Sequence, residues 1–258
     1  MERKILICRE TDKEELLSFL EKDRIWAGYA ICDLEQKLFP LCNWYTARMN
    51  NDTISLTLYF KGLEPPTQIT IGAPIGIERI LETADVPGRL YAHIPLRHRQ
   101  VLEKFYSFTQ LKSMKRMMVT KKSFRPAVGS ATRLEERDLQ GLEKLYASPH
   151  KTFFRLYMLT SGIYYGIREN GTLVSAAGTH VCSPCHRLAC VGNVFTHPSH
   201  RRKGYGTICT SEVVKELLTI CDDVILNVDS RNLAAIKVYE KLGFQEYCMY
   251  LEGLGLKT

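Results

Sequence analysis

The chain has 258 residues, of which 45% are hydrophobic and 24% are charged, so it can bury a substantial core and is not intrinsically disordered. Its net charge of +7 favours acidic partners such as phosphate-bearing small molecules. No apolar run approaches the roughly 18 residues that would span a membrane, and the N-terminus has no pattern of a secretory signal. With an odd count of nine cysteines, these features predict a cytoplasmic protein with reduced thiols and no membrane partner.

The first half of the chain predicts alternating helices and strands. Residues 11–22 have the helical spacing of apolar side chains and begin with the capping-box pattern T-x-x-E at Thr11. The other predicted elements are a strand at 53–60, a strand, turn and helix over 67–81, a strand at 88–94, a helix within 95–108, and a strand over 113–126 that leads into a basic linker.

The second half of the chain gives clearer signals. Asn170 and Gly171 separate two apolar-rich runs, which predicts a hairpin over residues 163–181 because both residues accept a positive φ. Asn232 is the expected N-cap of a helix that stops at Gly243. The other predicted elements are helices at 133–147 and 207–221 and strands at 187–195, 223–228 and 244–252.

The order of these elements predicts the fold class. From residue 127 the order is strand, helix, three strands, loop, helix, strand, helix and strand, which predicts an α/β protein with a mixed sheet covered by helices, an α+β arrangement. The Pro- and Gly-bearing residues 125–131 predict a boundary between a domain at 1–126 and a domain at 127–258. Because the two halves are similar in length and element order, we expect a degenerate internal duplication.

Residues 182–186 read CSPCH, a spacing shared with c-type haem attachment and with half of a zinc site. Haem attachment normally requires export, and no second C-x-x-C or H-x-x-H pair completes a zinc site. We therefore interpret the segment as a Ser-Pro turn between two strands and expect no metal.

The segment HRRKGYGT lies between an expected buried strand and the start of a helix. The first amides of a helix have no intrahelical acceptor, and Gly204 and Gly206 allow successive N–H groups to point into one concavity. Such a nest fits a pyrophosphate, and Arg201, Arg202 and Lys203 would surround it with mobile positive charge. The glycine spacing matches neither G-x-x-x-x-G-K-[ST] nor G-x-G-x-x-G.

Two motifs in the second half resemble those of one family. The sequence RRKGYG at 201–206 resembles the R/Q-x-x-G-x-G/A signature of the GNAT (Gcn5-related) N-acetyltransferase superfamily, and residues 232–244 are similar to its second motif, N-x-x-A-x-x-x-Y-x-K-x-G-F. The stretch CVGNVFTHPSHRRKGYG also resembles the FR47-like branch. Residues 127–252 are thus identified as a GNAT domain. The first half lacks R-x-x-G-x-G and resembles the degenerate N-terminal domain of tandem members.

The resemblance implies the GNAT acyl-CoA N-acyltransferase fold in the C-terminal half and a set of cofactor-binding residues. The strand before the basic turn would splay from its neighbour, so that its backbone binds the pantetheine arm of acetyl-CoA, while the amides of the turn hold the pyrophosphate. Asn232 would contact the cofactor arm or act only as a helix cap. The implied cofactor-binding residues are Val194, Phe195, Thr196, Arg201, Arg202, Lys203, Gly204, Tyr205, Gly206, Thr207 and Asn232.

Tyr239 is the implied catalytic residue, because the family commonly uses a tyrosine at this position to protonate the departing CoA thiolate. Its alternative role is to pack in the core with Phe244. The sequence does not identify a general base. The central strand carries no acid, Asn193 is neutral, and a lone histidine such as His180 is more often structural.

The leading interpretation is an N-acetyltransferase that transfers the acetyl group of acetyl-CoA to a primary amine of a small molecule or amino acid. The alternative is a non-catalytic acyl-CoA-binding regulatory module, which the missing acid on the central strand favours. A homodimer is compatible with the sequence. Nucleic-acid binding is a third hypothesis, but a solvated edge strand and linker is the better interpretation of its basic residues, and no nucleic-acid partner is predicted. These residues are Lys112, Lys115, Arg116, Lys121, Lys122 and Arg125.

Overall fold

The computed structural model describes residues 4–147 and 154–258. The chain forms two compact units, one built from Met1–Lys115 with Cys248–Thr258 and the other from Arg116–Tyr247. The chain therefore passes between the units twice, each time inside a strand. Packing units do not decide where each half of a duplication begins, so the division into 1–126 and 127–258 stays a prediction.

The first repeat of elements runs from strand β1 to strand β6, and the last residues of β6 belong to the second unit. Its strands are β1 (Ile5–Glu10), β2 (Cys42–Met49), β3 (Asp52–Phe60), β4 (Thr67–Gly72), β5 (Arg89–Pro95) and β6 (Tyr106–Thr120). Its helices are α1 (Lys13–Leu20), α2 (Gly28–Cys32), α3 (Pro74–Thr83) and α4 (Arg99–Leu102).

The second repeat runs from strand β7 to strand β12, and most of β12 belongs to the first unit. Its strands are β7 (Thr132–Arg133), β8 (Tyr164–Glu169), β9 (Thr172–Ser183), β10 (Leu188–Thr196), β11 (Asp223–Asp229) and β12 (Gln245–Lys257). Its helices are α5 (Leu139–Tyr146), α6 (Leu156–Ser161), α7 (Tyr205–Ile220) and α8 (Leu233–Lys241).

Both repeats have the same order of elements: one strand, two helices, three strands, a helix, a strand, a helix and a strand. In the first unit the strands lie in the order β1-β2-β3-β4-β5-β12, and in the second in the order β7-β8-β9-β10-β11-β6. The pairs β4–β5 and β10–β11 are parallel, and β12 pairs with β5 in antiparallel orientation. The predicted α/β class with a mixed sheet is confirmed.

Apolar clusters cover both faces of the sheet in each unit. In the second unit, Ala177 of β9 contributes to the cluster that includes residues of α7 and α8, while its neighbour Ala176 contributes to the cluster with α5 and α6. Successive side chains of a strand point to opposite faces, so these two helix pairs cover opposite faces of the same sheet.

The hairpin and the helix caps of the second half follow the sequence signals. Asn170 and Gly171 join β8 to β9 with φ values of 50° and 76°, as the turn chemistry requires. Asn232 caps α8 by accepting a hydrogen bond from the amide of Ala235 at 3.1 Å, and Gly243 follows the helix with a φ of 91°. These predictions are confirmed.

Two predictions from the sequence of the first half are wrong. The N-cap of α1 is Asp12 rather than Thr11, because the Asp12 carboxylate accepts the amides of Glu14 and Glu15. The helix expected within 95–108 is only the four-residue α4, because β6 begins at Tyr106, whose side chain is buried in the core. Pairing of strands thus overrides the local helical pattern.

At the end of α8, the backbone at Gly243 lies very close to the backbone at Ser123, and a substitution of Gly243 tests this contact. A Cβ at this position would lie 1.9 Å from the backbone oxygen of Ser123, and the φ of 91° is unfavourable for other residues. We expect Gly243→Ala to lower the free energy of unfolding by about 2 kcal/mol or more in urea denaturation. Gly171→Ala is the matched control, since its φ is 76° but no atom lies within 4 Å. Equal losses in the two variants would contradict the close approach.

His98 gives the first unit a pH dependence. Its side chain is fully buried, and burial lowers its pKa to about 4 from the ordinary value near 6.5. The unfolded chain therefore binds the proton more readily, and the stability present above pH 6.5 is lost as the pH falls towards 4. Between pH 7 and pH 5, we expect the unfolding free energy of the wild type to fall about 2 kcal/mol more than that of His98→Gln. Parallel pH profiles for the two proteins would refute this.

Candidate functional site

The neighbouring strands β10 and β11 pair over only part of their length. Parallel pairing runs from Leu188 opposite Asp223 to Val191 opposite Leu226, and within the described residues it ends there, although both strands continue. On its other side, β10 has a bulge at Asn193, whose φ is 53°. A bulge bends a strand and increases its twist, which accounts for the separation of the two strands.

The residues expected to bind the pantetheine arm lie in this separated segment. Val194, Phe195 and Thr196 follow the last residue of β10 that pairs with β11, and all three are half-buried. Their backbone is thus extended in the segment where β10 no longer pairs with β11.

The basic turn leads into the N-terminus of α7 through left-handed backbone. Arg202 has a φ of 66°, and the N-cap Gly204 has a φ of 83° and no side-chain cap. The first intrahelical hydrogen bond runs from the Ile208 amide to the Gly204 carbonyl, at 3.0 Å. The amides of Tyr205, Gly206 and Thr207 therefore precede the helical ladder and are available to an anion.

Gly204 and Gly206 are each required in the turn, but for different structural reasons. At Gly204 the left-handed backbone is the constraint, because a Cβ there would have no atom within 4 Å. At Gly206 the constraint is crowding, because a Cβ would lie 3.3 Å from Oγ1 of Thr196. The turn is thus both strongly bent at Gly204 and closely packed against the end of β10 at Gly206.

Two of the three basic side chains are held by neighbouring groups. Arg201 donates from Nε to the carbonyl of Thr196 at 3.2 Å, and its guanidinium lies 6.0 Å from the centroid of the Phe195 ring. Lys203 donates to both carboxylate oxygens of Glu169, at 2.9 and 3.2 Å. Arg202 is exposed. The expected mobile charge is therefore partly committed to contacts within the second unit.

Glu169 is a site residue that the sequence interpretation missed. Its carboxylate accepts hydrogen bonds from Tyr205 and Lys203 and pairs with Nε2 of His200 at 3.3 Å. The hydrogen bonds from Tyr205 and then Lys203 lower the pKa of Glu169, which stays ionised. It joins residues on both sides of Gly204 to the β8–β9 hairpin. The adjacent Asn-Gly turn placed Glu169 at a strand end, but no sequence signal indicated its partners.

Tyr239 lies on α8 in the apolar cluster that also contains Val191, Leu226 and Val228, residues from both sides of the separated strands. Its ring makes an edge contact with Phe244, with centroids 5.8 Å apart. Burial raises the pKa of Tyr239 to about 12, so its hydroxyl is protonated at neutral pH and has a proton to donate.

A buried polar network surrounds the bulge at Asn193. The side-chain amide of Asn193 donates to the Tyr164 hydroxyl at 2.7 Å, and its Oδ1 lies 3.2 Å from Nε2 of His180. The Tyr146 hydroxyl donates to the Asn193 carbonyl at 2.6 Å. Burial raises the pKa of both tyrosines, which stay neutral. The sequence interpretation treated Asn193 and His180 separately and missed this network.

The corresponding connection in the first unit is different. β4 ends at Gly72 and α3 begins at Pro74, so no basic turn separates strand from helix. Pairing of β4 with β5 ends at Ile69, and the next residues of β4 bond to His98 instead: Oγ1 of Thr70 lies 2.8 Å from Nδ1 and the Gly72 carbonyl 2.9 Å from Nε2. This connection therefore lacks the amide nest found in the second unit.

The CSPCH segment forms a turn. Pro184 and its neighbours form the expected turn between β9 and β10, and the Sγ atoms of Cys182 and Cys221 lie 3.9 Å apart. Residues 4–147 and 154–258 contain no cluster of three or more potential metal ligands and no helix long and apolar enough to cross a membrane. Arg116, counted among the basic linker residues, is fully buried and donates from Nε to Oδ1 of Asn227 at 3.0 Å.

The segment that contains β10 and the basic turn is similar to a known protein family. Residues 132–244 match the Acetyltransferase (GNAT) family model. No curated protein matches the sequence significantly.

Three solved structures are similar over nearly the whole chain. A Drosophila protein has a TM-score of 0.74 and 12% identity, covering 98% of this chain and 99% of that one. A GCN5-related N-acetyltransferase from Sphaerobacter thermophilus has a TM-score of 0.63 and 13% identity, covering 98% and 95%. A tandem GNAT protein from the clavulanic acid biosynthesis pathway has a TM-score of 0.58 and 12% identity, covering 99% and 98%.

At these identities the structures establish a common fold, and the family model matches the segment that carries the basic turn. Residues 132–244 are therefore similar to the GNAT acetyltransferase family, and nearly the whole length of the chain shares the fold of a tandem GNAT protein.

Proposed function

We propose that the protein is an N-acetyltransferase that transfers the acetyl group of acetyl-CoA to a primary amine of a small molecule or an amino acid. The observation that supports this proposal most directly is the helix start at Gly204, where unbonded amides and left-handed backbone follow a strand that has separated from its neighbour. Backbone amides at a helix N-terminus suit a pyrophosphate, and an unpaired strand segment suits the amides of a pantetheine arm.

The residues of the second unit fit acetyl-CoA as a cosubstrate. The backbone of Val194, Phe195 and Thr196 would bind the pantetheine amides, and the amides from Arg202 to Thr207 would bind the pyrophosphate. Arg201, Lys203 and Tyr205 would keep the turn in shape through their present contacts. Asn232 uses its side-chain oxygen to cap α8, and its side-chain NH2 group would donate to the cofactor arm.

The thioester of acetyl-CoA supplies an activated acyl group that an amine can attack directly. In the proposed reaction the bond between the amine nitrogen and the acyl carbon forms, and the bond between that carbon and sulfur breaks. Tyr239 gives the departing thiolate its proton, since a phenol is protonated at neutral pH. The acceptor amine must lose protons to another group or to water.

Gly204→Glu tests the binding of the pyrophosphate. The substitution adds negative charge and removes the only residue type that adopts this backbone easily, so we expect acetyl-CoA affinity to fall at least about tenfold, or roughly 1.4 kcal/mol, in isothermal titration calorimetry. Because the connection in the first unit lacks the nest, we expect one binding site per chain in the wild type.

Two variants separate the causes of this effect. Gly88→Glu adds the same charge in open space in the first unit and should leave affinity unchanged. Gly204→Ala strains the backbone without adding charge and should have an intermediate effect. Wild-type affinity in Gly204→Glu would contradict the proposed pyrophosphate site.

Tyr239→Phe tests the proton donor. The ring keeps its contact with Phe244, so we expect acetyl-CoA affinity within twofold of the wild type and a loss of turnover of roughly 100-fold. Turnover is measured as CoA release with a panel of primary amines, with a blank that corrects for protein thiols such as the exposed Cys185.

Tyr165→Phe is the control for the loss of a hydroxyl. Tyr165 donates to Glu216 on α7, so we expect this variant to keep the turnover of the wild type. Full turnover in Tyr239→Phe would exclude this residue as the acid. Tight acetyl-CoA binding by the wild type with no CoA release for any amine would favour the non-catalytic regulatory module.

A further inference from the structure

We propose that Glu169 is a positioning residue of the cofactor site, and that its carboxylate holds the basic turn in the shape that presents the first amides of α7 to the pyrophosphate. This inference rests on the proposed N-acetyltransferase function, because it assumes that acetyl-CoA binds at this helix start. Glu169 takes no part in the bond changes of the proposed reaction. It acts on cofactor binding through the turn.

Glu169 contacts the turn from a fixed position. It is the last residue of β8 and pairs with Thr172 of β9 across the two-residue turn at Asn170 and Gly171. A residue in a paired strand holds its side chain more precisely than a residue in an exposed loop does. The hairpin therefore provides a rigid support for the carboxylate.

Three side chains of the basic turn and of the start of α7 converge on this carboxylate. Nε2 of His200 lies 3.3 Å from Oε2 of Glu169. Lys203 donates to Oε1 and Oε2, at 2.9 and 3.2 Å. The hydroxyl of Tyr205, the first residue of α7, donates to Oε1. One side chain thus connects three positions of the turn to the hairpin.

These contacts act across the two left-handed residues of the turn, Arg202 and Gly204, whose φ values are 66° and 83°. The first partner precedes Arg202 in the chain, the second lies between Arg202 and Gly204, and the third follows Gly204. Residues 201–204 are exposed, so packing in the core does not fix their backbone. Left-handed backbone is unfavourable for arginine and persists where surrounding contacts hold it. The contacts of Glu169 supply that constraint.

The charge of Glu169 works against anion binding, so its benefit to the cofactor site comes from geometry. The hydrogen bonds from Tyr205 and then Lys203 lower the pKa of Glu169, and the hydrogen bond to Glu169 raises the pKa of Lys203, so both groups stay charged at neutral pH. A carboxylate at the turn repels a pyrophosphate and offsets the positive charge of Lys203. Loss of the charge alone should therefore strengthen acetyl-CoA binding, whereas loss of the contacts should weaken it.

The variants Glu169→Ala and Glu169→Gln separate these two effects in isothermal titration calorimetry with acetyl-CoA. The alanine loses all the contacts, and we expect affinity to fall about fivefold or more. The glutamine loses the charge but keeps the main contacts, because the shortest hydrogen bonds of Lys203 and Tyr205 both reach Oε1 and an amide oxygen accepts two. We expect its affinity to lie within about twofold of the wild type or to be higher.

Tyr205→Phe tests whether the hydroxyl of Tyr205 acts through Glu169. We expect this substitution to weaken acetyl-CoA binding in the wild type and to have no further effect in Glu169→Ala, because the partner is then absent. Equal losses in the two backgrounds would show that the hydroxyl acts independently of Glu169, and would contradict the proposed connection.

Amide hydrogen exchange measures the shape of the turn without a ligand. We expect the amides of residues 203–207 to exchange faster in Glu169→Ala than in the wild type and at the wild-type rate in Glu169→Gln. Glu143→Ala removes an exposed acid from α5 of the same unit and is the matched control for both measurements. The urea midpoint of each variant confirms that it is folded.

Kinetics separate positioning from catalysis. In Glu169→Ala the KM for acetyl-CoA should rise by the same factor as the loss of affinity, while kcat stays within about twofold, because the change removes binding that the ground state and the transition state share. A fall in kcat without a rise in KM would contradict a role in cofactor binding.

The outcomes also distinguish this inference from the proposed function. If Glu169→Ala binds acetyl-CoA as tightly as the wild type or more tightly, or if Glu169→Gln loses as much affinity as Glu169→Ala, Glu169 is not a positioning residue. The proposed function then still stands on the response of Gly204→Glu. If the wild type itself does not bind acetyl-CoA, the proposed function and the role of Glu169 both fail.

Discussion

The bulge at Asn193 is the constraint on which the candidate site depends. Its left-handed backbone interrupts the pairing of β9 with β10, and β10 leaves β11 two residues earlier. Without the separation, the main-chain groups of β10 would form hydrogen bonds with β11 and would not be available to a cosubstrate. The same residue holds the hydrogen bonds of His180, Tyr146 and Tyr164, so the backbone distortion and the polar side chains form one structure.

Burying this network is costly unless every polar group has a partner. The side-chain amide of Asn193 bonds on both ends, and its carbonyl accepts from Tyr146. A second set of contacts lies at the basic turn, where Glu169 joins His200, Lys203 and Tyr205. The bulge and the turn at Gly204 are thus each held by side chains distant in sequence. Such preorganisation reduces the conformational entropy lost on binding.

The two repeats show how one order of elements supports different sites. Both have a parallel strand pair that separates before its end, but only the second follows it with a basic, glycine-containing turn. In the first, the helix follows β4 after Ala73 alone, and the neutral imidazole of His98 bonds to the end of β4. The two repeats therefore share an order of elements, while the available amides at a helix N-terminus depend on one connection.

The sequence by itself determined the features that depend on local chemistry. Asn-Gly predicted the hairpin, Asn232 and Gly243 predicted the limits of α8, and RRKGYG predicted a turn into a helix with available amides. Only the tertiary structure decided which distant residues meet: Glu169 with Lys203, His180 with Gly192, and the pairing of β12 with β5. These contacts follow from strand register and from the bulge, which place side chains in space without leaving a periodic pattern in the sequence.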